Sequence, residues 1–356
     1  MILERLILTN FRTYPNLDLE FGDKANLIVG SNASGKTNLA EAIFFLSLAR
    51  SWRTLEEKSL IRFGEEFASI RAFVREGGLH REILVEITAE GKRVFLNGKP
   101  IRRLSELSRL VNVLLFTPSD VRLFKGAPGE RRNFLDVSLS KRSNDYLSLI
   151  SRQASLLKDR NAMLKEGAKD RQLLEVITDQ LIAVQQPIVR YRSMYVTALN
   201  GVLPKLLASL RGITAPCALV YRSFVKDDET FPERAKKAYQ DALEGDLLRK
   251  TTSLGVHRED FSFKLDGKDV AEFGSQGENR MAALALKLAP FFLIEEEERK
   301  PICVLDDVTS ELDAENTARL LELLRHLGQS FVTATELNLQ GASVYEVANH
   351  NAIRRN

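Results

Sequence analysis

The chain has 356 residues, 44% of them hydrophobic and 28% charged, which is the composition of a soluble globular protein with room for one large domain or two ordinary ones. Cys217 and Cys303 are too few and too isolated for a disulfide framework, so a reducing cytoplasm is expected. The net charge of +3 says little about partners. The start Met1-Ile2-Leu3-Glu4-Arg5 lacks the layout of a signal peptide, and Leu284 to Ile294 is too short and too interrupted to cross a bilayer.

The first 29 residues alternate as strands do, with Leu3, Leu6 and Leu8 followed by Leu17, Leu19 and Phe21, and a turn expected at Pro15-Asn16. Asn10-Phe11-Arg12 closes the first strand; Arg12 either faces a nucleotide or is a solvated strand end. The apolar run Ala25 to Val29 reads as a buried strand. Gly30-Ser31-Asn32-Ala33-Ser34-Gly35-Lys36-Thr37 then fits G-x-x-x-x-G-K-[ST] at every fixed position. A helix is expected from Asn38 to Leu48, with Leu39, Ile43 and Leu46 on one face. Strand, glycine loop and helix together form a phosphate cradle. Gly30 and Gly35 let backbone N–H groups turn towards phosphate oxygens. The helix N-terminus adds partial positive charge. Lys36 is suited to the β- and γ-phosphates, and the Thr37 hydroxyl to Mg²⁺.

Beyond this loop, Ala68 to Val74, His80 to Thr88 and Arg93 to Leu96 read as strands of a small antiparallel sheet, with Asn97-Gly98 as a hairpin turn. Trp52 is expected to pack. Val111 to Phe116 reads as a buried strand ending in the turn Thr117-Pro118-Ser119-Asp120. From Pro128 to about residue 210 the pattern is helical, with Pro187 expected to bend or end one helix. Lys99 to Arg171 holds 16 basic and eight acidic residues, a surplus of eight positive charges. That surplus is either a set of solvated helix faces or a footprint for a phosphate backbone. Lys226 to Glu244 reads as a loop and an exposed helix, and Gly267-Lys268 as a hairpin turn.

Gly274 to Arg280 opens an Ala- and Leu-rich helix from Met281 onward. In it, Ser275-Gln276-Gly277 is a Ser-x-Gly segment at a helix N-terminus, able to donate to a γ-phosphate. Ile302 to Asp307 is an apolar strand ending in two carboxylates. Asp306 suits the Mg²⁺ shell, and Asp307 is placed to polarise an attacking water. Ser310-Glu311-Leu312-Asp313 caps a helix that stops near Gly328, and Phe331-Val332 and Ser343 to Val347 are the last strands. Ser275 lies about 240 residues beyond the glycine loop, so the ATPase domain is split by an insertion.

This order of elements resembles the ABC-type ATPases, within them the SMC-like DNA-repair branch, and most closely the RecF family of recombination mediators. Beyond the segments above, the matching residues include Lys125-Gly126-Ala127-Pro128, Arg131-Arg132-Asn133-Phe134-Leu135-Asp136, Arg160-Asn161-Ala162 and Gly255-Val256-His257-Arg258-Glu259-Asp260. Glu278-Asn279 departs from the two amides expected there. Thr333-Ala334-Thr335 stands where transporter ATPases carry a switch histidine and where RecF-like proteins usually show threonines. His257 is left open between a structural and a functional role.

The resemblance implies an α/β fold: a P-loop ABC-type ATPase head, residues 1–115 and 252–356, split by an inserted mainly helical lobe, 116–251. It implies ATP and Mg²⁺ as cofactors, and a homodimer in which ATP is held between Lys36 of one subunit and Ser275 of the other. Gly30 to Asn38, Arg12 and Ser275 to Gly277 would bind the nucleotide, Thr37 and Asp306 the metal, and Lys36, Asp307 and Ser275 would serve catalysis. Single- and double-stranded DNA, RecR and RecO are the implied partners, and a weak DNA-dependent ATPase the implied activity. The rival readings are an SMC-type tether, for which the insertion is too short, and the energy-coupling ATPase of a membrane transporter.

Overall fold

The structure is a computed structural model that describes residues 1–102, 104–310 and 312–355, with only the backbone for Ser105 and Arg109. Glu311 of the expected helix cap and Arg103 of the basic segment lie outside the described residues.

In chain order, β1 (Ile2–Phe11) and β2 (Tyr14–Glu20) form a hairpin, and β3 (Ala25–Val29) leads into α1 (Lys36–Leu48). The strands β4 (Phe67–Glu76), β5 (Leu79–Thr88), β6 (Gly91–Leu96) and β7 (Lys99–Pro100) follow, then α2 (Leu107–Leu110) and β8 (Val113–Phe116). Next come three helices, α3 (Pro128–Arg142), α4 (Asn144–Lys165) and α5 (Arg171–Arg211), before β9 (Cys217–Arg222) and α6 (Phe231–Arg249). After β10 (Asp260–Leu265) and β11 (Lys268–Asp269) come α7 (Val270–Phe273) and α8 (Gln276–Phe292). The chain closes with β12 (Ile302–Leu305), α9 (Ala314–His326), β13 (Ser330–Ala334), β14 (Ser343–Ala348) and β15 (Asn351–Arg355).

These elements form two compact units, one of residues 1–121, 205–214 and 280–356, the other of 122–204 and 215–279. The division differs from boundaries at 115/116 and 251/252. The reason is strand pairing: β10 joins β9 and β11 in a three-stranded sheet, which keeps 260–269 in the second unit.

The first unit holds two six-stranded sheets, ordered β2-β1-β4-β5-β6-β7 and β15-β14-β3-β13-β12-β8. The first is antiparallel. Its alternating residues, Leu6, Leu8, Ile70, Ala72, Ile83 and Val85, are buried on one face. The second is parallel apart from β15, and every residue of β3, β12 and β13 is buried, as strands covered on both faces require. One apolar core joins both sheets through α1, where Leu39, Ile43 and Leu46 pack with Leu8, Ile28 and Phe331.

One local expectation changes, and of the two outcomes expected at Pro187 one is excluded. The first hairpin turns at Arg12-Thr13, with Phe11 opposite Tyr14, and not at Pro15-Asn16. Arg12 takes a φ of 53°, and Pro15 sits in β2, an edge strand that tolerates its missing N–H. Pro187 does not end its helix: α5 runs 41 residues, roughly 60 Å at 1.5 Å per residue, through both Pro187 and Pro204. Leu181, Val184, Ile188 and Val196 are buried on both sides of Pro187, and that burial outweighs a helix hydrogen bond lost to proline. The strands β9 and β15 were not expected. The Asn97-Gly98 turn is as expected, with both residues at positive φ.

The second unit is built around buried arginines. Arg160 donates to Asp246, Thr178 and Thr252; Arg192 pairs with Asp136 and Glu259 and donates to the Val256 carbonyl. Both are almost fully buried, and their acceptors fix the loop from Thr251 to Asp260.

Candidate nucleotide site

The glycine loop lies between β3 and α1 at the C-terminal edge of the parallel strands, where open α/β sheets bind ligands. Gly30 is required by close approach, since a Cβ there would lie 2.3 Å from the Val347 carbonyl oxygen. Gly35 is required by its backbone, at φ 118°, and it forms the N-cap of α1. Among the described residues no side chain caps α1, and its first turn carries no acid. The loop tip, Ser31-Asn32-Ala33, is exposed. The Ser34 hydroxyl is buried without a protein hydrogen bond. A helix start bare of acids beside an unsatisfied hydroxyl fits phosphate oxygens.

Lys36 donates from Nζ to the carbonyls of Gly30 and Ser31, at 2.7 and 2.8 Å. Burial lowers its pKa, while the nearby Asp307 and Asp306 act against that shift. The strand order β3-β13-β12 brings the loop and the two carboxylates to the same edge. There the Thr37 hydroxyl donates to Asp306 Oδ1 at 3.1 Å. That geometry leaves the Thr37 oxygen lone pairs available to a cation while its proton is held by the acid. Burial raises the Asp306 pKa, and a bound cation would reverse that tendency. Asp307 follows with φ 48°, a left-handed backbone held by a hydrogen bond from its N–H to Thr333 Oγ1 at 2.8 Å.

Arg12 is not a solvated strand end. Its guanidinium grips the fully buried Glu41 through two bonds, at 2.9 and 2.8 Å, and donates to the Ser59 carbonyl. Arg53 meets the same carboxylate at 3.1 Å and donates to Asn38 Oδ1 at 2.7 Å. Arg12, Thr13, Asn38 and Arg53 thereby line one end of an open groove of about 1110 Å³. Sequence reasoning passed over Glu41 and Arg53. A lone acid inside an apolar helix face was the available signal for Glu41. Trp52 packs, edge-on against Phe44.

Ser275, Gln276 and Gly277 are exposed at the start of α8, in the second unit. Ser275 Oγ accepts from the Glu278 amide, and the Glu278 carboxylate accepts from the Ser275 amide, which is a capping box. Asn279 is buried and donates to three carbonyls, at Val270, Gly274 and Ser275, which pins the turn before the helix. His257 is half-buried with Nε2 at the Thr252 carbonyl, and burial lowers its pKa.

Three arginines of the basic segment are committed inside the second unit, while Lys125, Arg152, Lys158, Lys165, Lys169 and Arg171 are exposed. Arg131 is buried, pairs bidentately with Asp260 and donates to three loop carbonyls; Arg132 donates to the Glu259 carbonyl. Arg160 is likewise internal. These residues are fold contacts and not a free phosphate footprint.

The profile of the RecF/RecN/SMC N-terminal domain family matches residues 2–352. The chain belongs to this family. Within it, the match is to RecF. The DNA replication and repair protein RecF of Halalkalibacterium halodurans is 38% identical, over 98% of each chain. That of Geobacillus kaustophilus is also 38% identical, again over 98% of each. A solved structure of the recombination mediator protein RecF-ATP in the RecFOR pathway superposes with a TM-score of 0.89 at 30% identity, covering 99% of this chain and 97% of that one. The Smc head domain of Pyrococcus furiosus shares the fold at 17% identity and a TM-score of 0.59. The fold is that of the ABC-type ATPase heads. Among the described residues no helix is long and apolar enough to cross a membrane.

Proposed function

We propose that this protein is an ATP-dependent DNA-binding protein of recombinational repair and replication restart. ATP binds at Gly30 to Asn38, with Lys36 on the β- and γ-phosphates. Thr37 and Asp306 would hold Mg²⁺, an ion suited to such oxygen donors. The ion neutralises phosphate charge when bound. Asp307 orients and polarises the attacking water. Ser275, Gln276 and Gly277 close the site of a second subunit, so that ATP binding and dimerisation are linked by mass action. Slow hydrolysis, stimulated by DNA, resets the dimer. RecO and RecR are its partners in loading the recombinase on gapped DNA, and the family membership together with the ATP complex named for the solved relative supports that role.

The observation that carries this reading is the approach of Thr37 to Asp306, at 3.1 Å, across 269 residues of sequence. It joins the phosphate loop to the acid of a separate strand. The decisive experiment is a titration of single-stranded, duplex and gapped DNA with and without ATP, read together with sedimentation. An ATP-dependent dimer with raised DNA affinity is the expected result. ATP-independent DNA binding by a monomer would overturn the reading.

A further inference from the structure

Thr333 stands at the C-terminal end of β13, the strand between the one that carries the phosphate loop and the one that carries the two acids. Its side chain is buried, and its hydroxyl uses both of its capacities on neighbouring acids. It donates to Asp306 Oδ1 at 2.7 Å and accepts from the Asp307 amide at 2.8 Å. Here the hydroxyl ties the side chain of one acid to the backbone of the next. Asp306 Oδ1 therefore receives two hydroxyl donors, Thr37 from the loop and Thr333 from the middle strand. Asp307 leaves the strand at φ 48°, and the Thr333 oxygen is the acceptor that holds its amide in that conformation.

We infer that Thr333 is a positioning residue: it sets the spacing between the cation-side carboxylate of Asp306 and the water-side carboxylate of Asp307 from the strand between them and the loop. The inference rests on the reading of this site as an ATP and Mg²⁺ site. Thr333 acts through the two acids that its hydroxyl bonds. Valine has the shape of threonine without the hydroxyl, so Thr333→Val leaves Asp306 short of a donor and the Asp307 amide without an acceptor.

The test compares wild type, Thr333→Val and Thr333→Ser. A fluorescent ATP analogue is titrated in EDTA and in Mg²⁺, and turnover is measured on DNA. Thr333→Val is expected to bind the analogue normally in EDTA, to lose most of the affinity gained from Mg²⁺, and to turn over roughly 10–100-fold more slowly, the usual effect of removing a group that orients a metal ligand. Thr333→Ser keeps the hydroxyl and is expected to stay close to wild type in both. Should Thr333→Val lose its cooperative melt, Thr333→Ala carries the same measurements. Wild-type turnover and an unchanged Mg²⁺ gain in the hydroxyl-free variant would overturn the inference, as would a serine variant as impaired as the valine one. Failure of the underlying site is distinguishable, because wild-type protein would then show no Mg²⁺-dependent gain for the analogue, or Lys36→Met would bind it unchanged.

Discussion

Ser275 and Glu278 hold each other's backbone amides, the serine oxygen at 3.2 Å from the Glu278 nitrogen and the carboxylate at 2.9 Å from the Ser275 nitrogen. The start of α8 thus carries its own anion. A γ-phosphate presented by a second subunit would meet a carboxylate at the same helix end. Glu278→Gln keeps an oxygen acceptor and removes the charge. A charge at a helix terminus is worth about 0.3–1 kcal/mol, so ATP-driven association is expected to tighten by roughly two- to fivefold. Sedimentation velocity with ATP, in an Asp307→Asn background that limits turnover, measures it. Equal or weaker association would assign the carboxylate to helix capping alone.

Arg131 tests the basic segment. Its guanidinium satisfies Asp260 and the carbonyls of Leu123, Phe124 and Gly126. Arg131→Ala is expected to cost about 3 kcal/mol, the low end for breaking a buried pair, because Asp260 keeps some access to water. Denaturant unfolding measures that loss. The slope of DNA affinity against salt should stay unchanged, since removing a cation that neutralises one duplex phosphate would flatten it by about 0.9. A flatter slope with intact stability would return Arg131 to the DNA surface.

The glycine loop and the paired acids were legible because local pattern sets them: β3 and β12 are short apolar runs, and the motif residues adjoin them directly. The turn at Arg12-Thr13 was not legible. Proline and asparagine at 15 and 16 are strong turn residues, and only pairing with β1 places them in an edge strand. Continuity of α5 through Pro187 depends on apolar partners distant in sequence. The fate of Arg131 was hidden for the same reason. A charge count treats Arg131 and Arg142 alike, whereas Asp260, 129 residues further on, takes one of them into the fold. The resemblance marks Thr333 as one of the threonines that stand in place of a switch histidine, but its bonds to Asp306 and Asp307 follow from strand order.

Asp307→Asn should leave ATP and Mg²⁺ binding near wild type while slowing hydrolysis by roughly 10²–10⁴-fold, the usual worth of general-base assistance. The asparagine keeps the left-handed backbone and the amide bond to Thr333, so a loss of rate reports on the carboxylate. Single-turnover hydrolysis separates this from slow product release. A normal single-turnover rate would move the role to another group.

His257 gives a pH dependence with a definite sign. Burial pushes its pKa below the ordinary 6.5, so the folded chain holds the ring neutral where the unfolded chain protonates it. Between those two values the unfolded state binds more protons, and stability rises with pH. The contribution is complete above about pH 6.5 and is lost as pH falls below it. His257→Gln is expected to flatten the melting temperature profile in that acid range and leave it unaltered above pH 7. A profile identical to wild type below pH 6.5 would assign the acid sensitivity elsewhere.

Composite sites built from two chains make the strongest demand on the proposal. Ser275→Arg places a bulky cation at the exposed helix start while the loop from Gly30 to Thr37 stays intact. ATP binding should persist, and ATP-driven dimerisation and hydrolysis should be lost. Lys36→Met removes the cation of the loop and should abolish tight ATP binding. Each variant alone is inactive. In a mixed dimer, one site combines Lys36→Met with Ser275→Arg, and the other joins an intact loop to an intact Ser275. Mixing two inactive proteins should therefore restore part of the ATPase activity. Sites contained within one chain predict no recovery at any ratio. Crosslinking the ATP-bound mixture identifies heterodimers directly. Heterodimers that form and stay wholly inactive would show either that the site is not shared or that both sites must act together, and covalently linking one Ser275→Arg chain to one wild-type chain separates those two. That dimer keeps one intact composite site, so activity near half of wild type means independent sites, and silence means that both must fire.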